Sequence, residues 1–324
     1  MAGLVPLNNA EALAHLHEAG VEELYVGFHD DGWTARFGST ELNRMSGFGR
    51  EANPFSFEEM LAQVQRAQSL GMRAFVCFNA SSYGSPELEF IASAYLGAIA
   101  DAGASGIIVS GQALIGPARE AGLGVVMSTV AGVFNERLAV YYRDLGATRL
   151  ILPRDLSVDE IAGIMRTVPE VEYEVFLMRN GCMFSDSHCL GCHRAGAPSL
   201  CTSLREGDVD INLVPGDYDD AFLRRARSTE WLLNMRYHKR TCGLCALWRF
   251  EQIGVHAYKV VGRGDDPDDL VADAALVVRN TALARASATE ADYHAAMELP
   301  RDPSTLCATN GLSCYYPESR RFPI

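Results

Sequence analysis

The sequence lacks the features that would place the chain in a membrane or send it for export. No run of eighteen uncharged apolar residues occurs in its 324 residues, which argues against a spanning helix. The start, MAGLVPLNNAEALAHL, has no basic stretch followed by an apolar one, and we interpret it as the start of a mature cytoplasmic protein. Positive charge is also scarce, because 28 Lys and Arg face 41 Asp and Glu for a net charge of -13. This acidic balance argues against a nucleic-acid partner.

Several short catalytic signatures are missing as well. No HExxH or GxSxG motif occurs, so neither a zinc peptidase nor a serine hydrolase is indicated. No GxGxxG follows the first apolar run, which argues against a dinucleotide-binding sheet. Cys77, at the end of an apolar run, is the isolated thiol that we expect to be exposed and able to act as a nucleophile. The sequence therefore offers little support for a peptidase.

The chain does contain a regular alternation of short apolar runs and amphipathic stretches. The runs are strand-length and do not alternate with polar residues, which is typical of parallel strands buried on both faces. Strand followed by helix, repeated to eight units, predicts a closed (β/α)8 TIM-like barrel, with the doubly wound sheet as the alternative. The predicted strands are 3–6, 24–28, 73–79, 106–110, 124–129, 149–153, 173–178 and 256–262.

Helix signals lie between the runs. Ser56 and Ser157 each precede a Glu by three residues, which is the spacing of a capping box. A last helix is predicted over 268–286. These signals support the assignment of one helix between successive strands.

The stretch 182–245 breaks this rhythm. It contains Cys, Gly, Pro and Asp in irregular order, and we interpret it as a cysteine-rich loop insertion after strand seven. We therefore predict a barrel domain over 1–287 that includes the insertion, and a C-terminal extension over 288–324. If the fold is a barrel, the insertion lies at the carboxyl ends of the strands, where barrel enzymes have their active sites.

The nine cysteines are the most informative residues. An odd number in a chain without an export signal argues against a disulfide framework. Six of them lie between Cys182 and Cys245, and clustered thiols indicate a soft metal site. Spacing alone leaves two sites open. One is an iron–sulfur cluster on four of the six thiolates, and the other is a zinc ion on two CxxC pairs, Cys189 with Cys192 and Cys242 with Cys245.

A series of fragments carries a resemblance to a known family. In chain order they read AEALAHLHEAGVEELYVGF, NPFSFEEM, GASGIIVSGQALI, VVMST, LGATRLILPRDLSVDEI, VEYEVFLMRNGC and GVHAYKVVGR. On these fragments the chain resembles the peptidase U32 family, also called collagenase-like proteases, over nearly all of 1–287. The last fragment looks like the terminal KIEGR strand of that family.

The resemblance implies a function other than proteolysis. Several members carry a [4Fe–4S] cluster on four cysteines, and some of these hydroxylate aromatic rings or RNA bases without molecular oxygen, with prephenate implicated as the oxygen source. Other members work as a pair of homologous subunits. Carried onto this sequence, the family's ligand pattern implies Cys182, Cys189, Cys201 and Cys242 as the metal ligands. Cys192 competes with Cys201 for the third position.

The chain departs from the family pattern near strands seven and eight. Met178 and Arg179 stand where the family usually has His and Gly, and Val261 stands where KIEGR has its acid. The loop between the second and third cysteines is shorter than in the RNA-modifying members. These differences imply a substrate other than those of the best-known members.

Polar residues that follow the predicted strands are candidate site residues, because the carboxyl ends of barrel strands surround the active site. Arginine pairs with carboxylates through two N–H donors, so several arginines at one opening suit a dicarboxylate such as prephenate. The alternative for Arg154 is an ion pair with Asp155 that only organises the loop. The predicted catalytic residues are His29, Asp155 and Lys259, and the predicted substrate-binding residues are Arg36, Asn79, Arg154, Arg179 and Arg263.

The sequence therefore predicts a [4Fe–4S]-dependent, oxygen-independent hydroxylase of a small aromatic molecule, with prephenate as the expected oxygen donor. The alternatives, in order, are a cluster-bearing subunit that completes a partner's active site, an RNA-base hydroxylase and a U32-type peptidase. The expected partners are the small-molecule substrate and a homologous U32 subunit or a redox partner.

Overall fold

Eight parallel strands close into a barrel in the computed structural model of this chain. Each strand pairs with the next along the chain, and β8 pairs with β1, so that Leu4 lies opposite Lys259. Closure confirms the predicted (β/α)8 fold and excludes the doubly wound sheet, which would keep two open edges. The structure describes residues 2–39, 41–182, 185–188, 219–221, 241–300 and 314–322. The strands are β1 Ala2–Pro6, β2 Glu23–Val26, β3 Arg73–Phe78, β4 Gly106–Val109, β5 Gly124–Met127, β6 Arg149–Ile151, β7 Glu172–Met178 and β8 Ala257–Val260.

Helices cover the outside of the barrel, and their starts follow the sequence signals. Ser56 and Ser157 each accept a hydrogen bond from the backbone N–H of the Glu three residues later, as the capping boxes predicted. No helix in the described part of the chain combines the length and apolarity needed to cross a bilayer. The helices are α1 Ala12–Glu18, α2 Asp31–Phe37, α3 Gly49–Ala52, α4 Phe57–Ser69, α5 Ser85–Phe90, α6 Leu96–Asp101, α7 Ile115–Glu120, α8 Glu136–Leu145, α9 Val158–Thr167, α10 Leu247–Ile253, α11 Pro267–Ala286 and α12 Glu290–Ala296.

Six strands, β2 to β6 and β8, end one or two residues earlier than predicted, and the reason is clear for β2 and β6. β2 stops at Val26, because the chain leaves the barrel there and Phe28 forms an isolated bridge with Phe55 in the following loop. β6 stops at Ile151, two residues before Pro153, which has no N–H to donate to a neighbouring strand. Both corrections shorten strands at their carboxyl ends and lengthen the loops at that opening.

A layer of charged side chains fills the amino-terminal half of the barrel interior. Arg149 on β6 is 1% exposed, and its guanidinium lies 2.6 Å from Glu23 on β2 and 3.6 Å from Glu174 on β7. Because β6 and β2 are not neighbours, the first contact crosses the interior. Lys259 Nζ lies 2.7 Å from the other oxygen of Glu174. We call Glu23, Arg149, Glu174 and Lys259 the floor, since they close the barrel below its carboxyl-end opening, which we call the mouth.

The described parts of the predicted C-terminal extension pack on the barrel. The Tyr293 hydroxyl, on α12, donates to the carbonyl of Leu244 at 2.7 Å. The Tyr316 hydroxyl donates to the carbonyl of Phe176 on β7 at 2.9 Å, and Tyr316 is buried. The extension therefore adds contacts at the mouth, beside the end of β7.

Candidate functional site

The turn after β7 has an uncommon backbone conformation. Arg179 and Asn180 have φ values of 69° and 42°, in the left-handed region that non-glycine residues rarely adopt. Their side chains are held in place, since Arg179 lies 3.1 Å from Asp265 and 2.7 Å from Asp273, and Asn180 donates to Asp265 at 2.8 Å. This turn directs the chain to Cys182 at the rim of the mouth.

The end of the insertion and the C-terminal tail both return to the same turn. Cys242 forms an antiparallel bridge with Met178 at the end of β7, and a parallel bridge joins Cys242 to Cys314. The Tyr315 N–H donates to the Cys242 carbonyl at 3.0 Å. The tail thus lies beside a predicted metal ligand. The sequence alone contained no signal for this approach, because more than seventy residues separate the two segments.

Two of the four predicted cluster ligands are described, and both are near Tyr315. Cys182 is partly buried and Cys242 is buried. Burial raises the pKa of Tyr315; Arg154 opposes the rise, while the nearby Cys182 and Cys242 add to it. The other two predicted ligands, Cys189 and Cys201, and the competitor Cys192 lie outside the described residues.

The donor chemistry at this rim suits a soft metal. Cysteine thiolates are the donors that zinc and iron–sulfur clusters take, and Cys182, Cys242 and Cys245 lie in the described part of the chain. Within the described part of the chain, no three metal-ligating side chains come together. Cys182 and Cys242 therefore make up half of the implied cluster set. For the alternative zinc set, Cys242 and Cys245 are described and Cys189 and Cys192 are not.

A buried carboxylate anchors the start of the insertion to the mouth. Asp186, 1% exposed, lies 2.7 Å from Arg44 and 2.7 Å from Arg154. The Thr129 hydroxyl donates to it at 3.3 Å. Burial would raise the pKa of Asp186, but Arg154 and Arg44 outweigh burial and hold the pKa well below its ordinary value. The insertion is thus docked four residues after Cys182 by a charged contact.

Arg154 has a partner other than the one its sequence neighbour suggested. It pairs with Asp186 rather than with Asp155, which is exposed, and its guanidinium lies 4.1 Å from the centre of the Phe176 ring. Sequence reasoning missed both Asp186 and Arg44. The one available signal was that both occupy loops that follow barrel strands, and that signal does not tell which loop residues meet.

Two further predicted site cations are bound to carboxylates inside the protein. Arg179 pairs with Asp265 and Asp273, and Lys259, predicted to be catalytic, belongs to the floor through Glu174. The structure also places the Lys259 ammonium 4.0 Å from the centre of the Tyr25 ring. These cations stabilise the barrel and its turn in this conformation.

Arg36 lies elsewhere, on the exposed side of α2. Its guanidinium stands 5.5 Å from the centre of the Phe37 ring and 5.0 Å from that of Phe90. Arg36 therefore contacts aromatic rings, whereas Arg154 and Arg179 contact Tyr315. Its predicted role in substrate binding stays a prediction.

Arg263 is held differently from the other basic residues of the mouth. Its two terminal nitrogens donate to amide oxygens, to Asn53 at 3.2 Å and to Asn43 at 3.0 Å. Asn43 in turn donates to Asn53 at 2.9 Å. A Cβ at Gly27, directly after β2, would lie 2.0 Å from the Arg263 guanidinium, so only glycine leaves room for it there. Arg263 is 4% exposed.

The uncharged predicted residues line the same opening. His29 Nδ1 lies 2.8 Å from the carbonyl oxygen of Asn53. Asn79 accepts from the Arg44 N–H at 3.2 Å and donates to the Ser128 hydroxyl at 3.3 Å. His29 and Asn79 are therefore oriented by groups on neighbouring loops.

Cys77 is not the exposed thiol that we expected. It is 2% exposed and belongs to the core of the barrel. Burial raises the pKa of its thiol, although Arg263 and Lys259 oppose the rise. A buried thiol with a raised pKa is a poor nucleophile. The structure thus removes the residue on which a peptidase interpretation would have depended.

The fold and the rim define a class: a TIM barrel whose mouth carries thiols on an elaborated loop after strand seven. The chain matches the model of peptidase family U32 over residues 8–320. It therefore belongs to peptidase family U32. A solved structure described as a U32 peptidase matches with a TM-score of 0.40 and 19% identity, covering 56% of this chain and 70% of that one.

Curated relatives are named for transfer-RNA hydroxylation. The chain is 31% identical over 140 residues to tRNA hydroxylation protein P of Haemophilus influenzae, covering 43% of this chain and 30% of that protein. It is 29% identical over 172 residues to the protein of the same name of Escherichia coli, covering 52% and 38%. It is 24% identical over 220 residues to tRNA hydroxylation protein P1 of Bacillus subtilis, covering 66% and 48%. The chain thus matches less than half the length of each of these relatives.

Proposed function

We propose that this protein is an oxygen-independent hydroxylase with a [4Fe–4S] cluster held by Cys182, Cys189, Cys201 and Cys242. The observation that carries the proposal is the convergence of Cys182 and Cys242 at the end of β7, beside the buried Tyr315. Cys192 remains the competitor for the third ligand. When bound, the cluster supplies one-electron chemistry at the rim.

The names of the relatives favour a base of transfer RNA as the substrate. They weigh mildly against the expectation, drawn from the net charge of -13, that nucleic acid is not a partner. A small aromatic molecule is the second candidate. It is favoured by the pairing of Arg154 and Arg179 with carboxylates, because these two cations of the mouth are then not available to bind an RNA backbone.

His29 is the residue best placed to move a proton in this mouth. A carbonyl oxygen can only accept, so the 2.8 Å contact with the Asn53 carbonyl requires the proton to be on His29 Nδ1. In the neutral ring, Nε2 then carries the lone pair and can take a proton from a substrate. We expect prephenate to be the oxygen donor, as the family resemblance implies.

The cluster is tested on protein purified without oxygen. We expect a broad absorption near about 400 nm and about four iron and four sulfide per chain, since four cysteines hold such a cluster. Cys182→Ser and Cys242→Ser should abolish the absorption, while the matched control Cys245→Ser should keep it. A colourless protein with about one zinc per chain, lost in Cys245→Ser, would instead establish the site made of two CxxC pairs.

The substrate is tested by anaerobic reaction with prephenate and either unmodified transfer RNA or a panel of small aromatic acids. Mass spectrometry of digested nucleosides and of the small molecules should detect the gain of one oxygen in one class. His29→Gln should lower that yield without changing iron content. If hydroxylation requires an added homologous subunit, the chain is the cluster-bearing member of a pair. A cluster-loaded protein that hydroxylates neither class, alone or with such a subunit, would refute the proposal.

A further inference from the structure

The C-terminal extension places a second thiol beside Cys242. Cys314 forms a parallel bridge with Cys242, and the Tyr315 N–H donates to the Cys242 carbonyl at 3.0 Å. Neighbouring strands lie about 4.7–4.9 Å apart, and residues opposite each other in such a bridge direct their side chains to the same face. The bridge therefore places the two Cα atoms about 5 Å apart, with both thiols on one face.

The extension is held firmly at this position. Tyr315 and Tyr316, the two residues after Cys314, are buried, and the Tyr316 hydroxyl donates to the Phe176 carbonyl at 2.9 Å. The Glu318 carboxylate accepts from the N–H of the first residue of α9 at 2.8 Å. These contacts join the extension to the barrel on two sides. The approach of Cys314 to Cys242 is therefore part of the packed structure and not the position of a loose chain end.

The separation of Cys242 and Cys314 suits a disulfide, which joins cysteines whose Cα atoms lie about 4.4–6.8 Å apart. Cys245 is the competing partner, because a CxxC spacing also permits a disulfide. It lies in a short 3-10 helix, and His294 Nε2 on α12 donates to its carbonyl at 2.9 Å. The Cys245 backbone is thus held by α12, whereas Cys314 lies directly opposite Cys242. The bridge favours Cys314 as the partner.

Burial sets the order in which the two thiols react. Cys314 is partly buried, whereas Cys242 is 7% exposed. A small disulfide such as oxidised glutathione therefore meets Cys314 first, whose thiolate forms a mixed disulfide and releases one glutathione thiol. The Cys242 thiolate, whose sulfur accepts from the Leu244 N–H at 3.5 Å, then displaces the second glutathione thiol. Two electrons and the protons of both cysteines pass to the two glutathione molecules that leave.

We propose that Cys242 and Cys314 form a disulfide in the oxidised protein, which withdraws Cys242 from metal binding. The link follows from the bridge between the two segments. The withdrawal rests on the proposed function, because it takes Cys242 to be a cluster ligand. A reversible link of this kind is typical of redox-sensing thiols and differs from a structural disulfide framework. The C-terminal extension thereby acts as a redox-sensitive lock on the rim of the mouth.

The link is tested by mass spectrometry on the full chain. Protein purified without oxygen is treated with oxidised glutathione, alkylated and digested with trypsin. We expect a linked pair of peptides, with the bond placed on Cys242 and Cys314 by fragmentation. Cys314→Ser should abolish this pair, whereas the matched control Cys307→Ser, which changes the other cysteine of the same tryptic peptide, should keep it. A bond between Cys242 and Cys245, or glutathione on Cys314 without any link, would overturn the proposal.

Absorption of the cluster during the same oxidation tests the withdrawal. The wild type should lose the absorption as the link forms, and Cys314→Ser should retain it for longer. Equal rates of loss in the two proteins would show that the link does not control the cluster. A link in a chain that never binds iron would leave the disulfide standing and count only against the proposed function. A cluster-loaded protein that forms no link would count only against the lock.

Discussion

The floor and the mouth of the barrel both contain buried charged side chains, but these side chains are paired differently in the two regions. In the floor, Arg149 and Lys259 each meet a glutamate, and the glutamates raise the pKa of Arg149 despite its burial. In the mouth, Asp186 is shared by two arginines, and Arg263 meets only amides. Balanced charge in a closed interior serves the fold, whereas unbalanced charge and a strained turn at the strand ends are features of sites that act on ligands.

The largest loss of stability is expected when a cation of the floor is removed. Arg149→Met leaves Glu23, which is 2% exposed, with the half-exposed Arg73 at 2.9 Å as its cation partner. We expect the free energy of unfolding to fall by about 3–5 kcal/mol, the usual cost of removing one partner of a buried ion pair. Urea denaturation measures this fall. The iron content of the remaining folded protein should match the wild type. A loss of iron in parallel with stability would show that the floor also supports the metal site at the mouth.

A smaller effect is expected at the anchor of the insertion. Asp186→Asn removes the charge shared by Arg44 and Arg154, and we expect a loss of about 2–3 kcal/mol together with reduced iron per chain. Because the folded-state pKa of Asp186 is depressed, its contribution is fully present above the unfolded value of about 3.9 and is lost as the pH falls below it. The difference in unfolding free energy between wild type and variant should therefore shrink below about pH 4.

The control for the anchor is Asp155→Asn, since Asp155 is exposed on the neighbouring loop. Its iron content and stability should follow the wild type within about 0.5 kcal/mol, as for most surface substitutions. An Asp186→Asn protein with unchanged iron at every pH would show that the anchor does not position the cysteine loop.

The smallest effect tests the strained turn. Arg179→Ala and Arg179→Gly both lose the ion pairs with Asp265 and Asp273, but only glycine adopts a φ of 69° without steric cost. We expect the glycine variant to be more stable than the alanine variant by about 0.5–1 kcal/mol, the reverse of their order in a helix. Thermal unfolding of the two variants side by side measures the difference. An alanine variant as stable as the glycine variant would show that the turn relaxes.

Much of the fold could be read from local patterns. The unbroken apolar runs predicted the buried strands, and the serines followed by glutamates predicted the helix starts at Ser56 and Ser157. The candidate site was harder to predict from the sequence. Arg154 was recognised as a residue of the mouth, but its partner Asp186 was not, because the choice among nearby acids depends on which loops pack together. Cys77 was misjudged for the same reason, since a strand end does not reveal whether its side chain faces the interior.

The sequence by itself determined the order of strands and helices and the cysteines from which the proposed metal site is drawn, and its matching fragments indicated the family. The elements and the donor set follow from hydrophobic period, capping chemistry and donor type, which are local properties of the chain. Only the tertiary structure decided that Lys259 belongs to the floor, that Cys314 lies beside Cys242, and that Arg263 meets amides instead of acids. Those outcomes depend on which distant segments approach within a few ångströms, and barrel closure sets that distance.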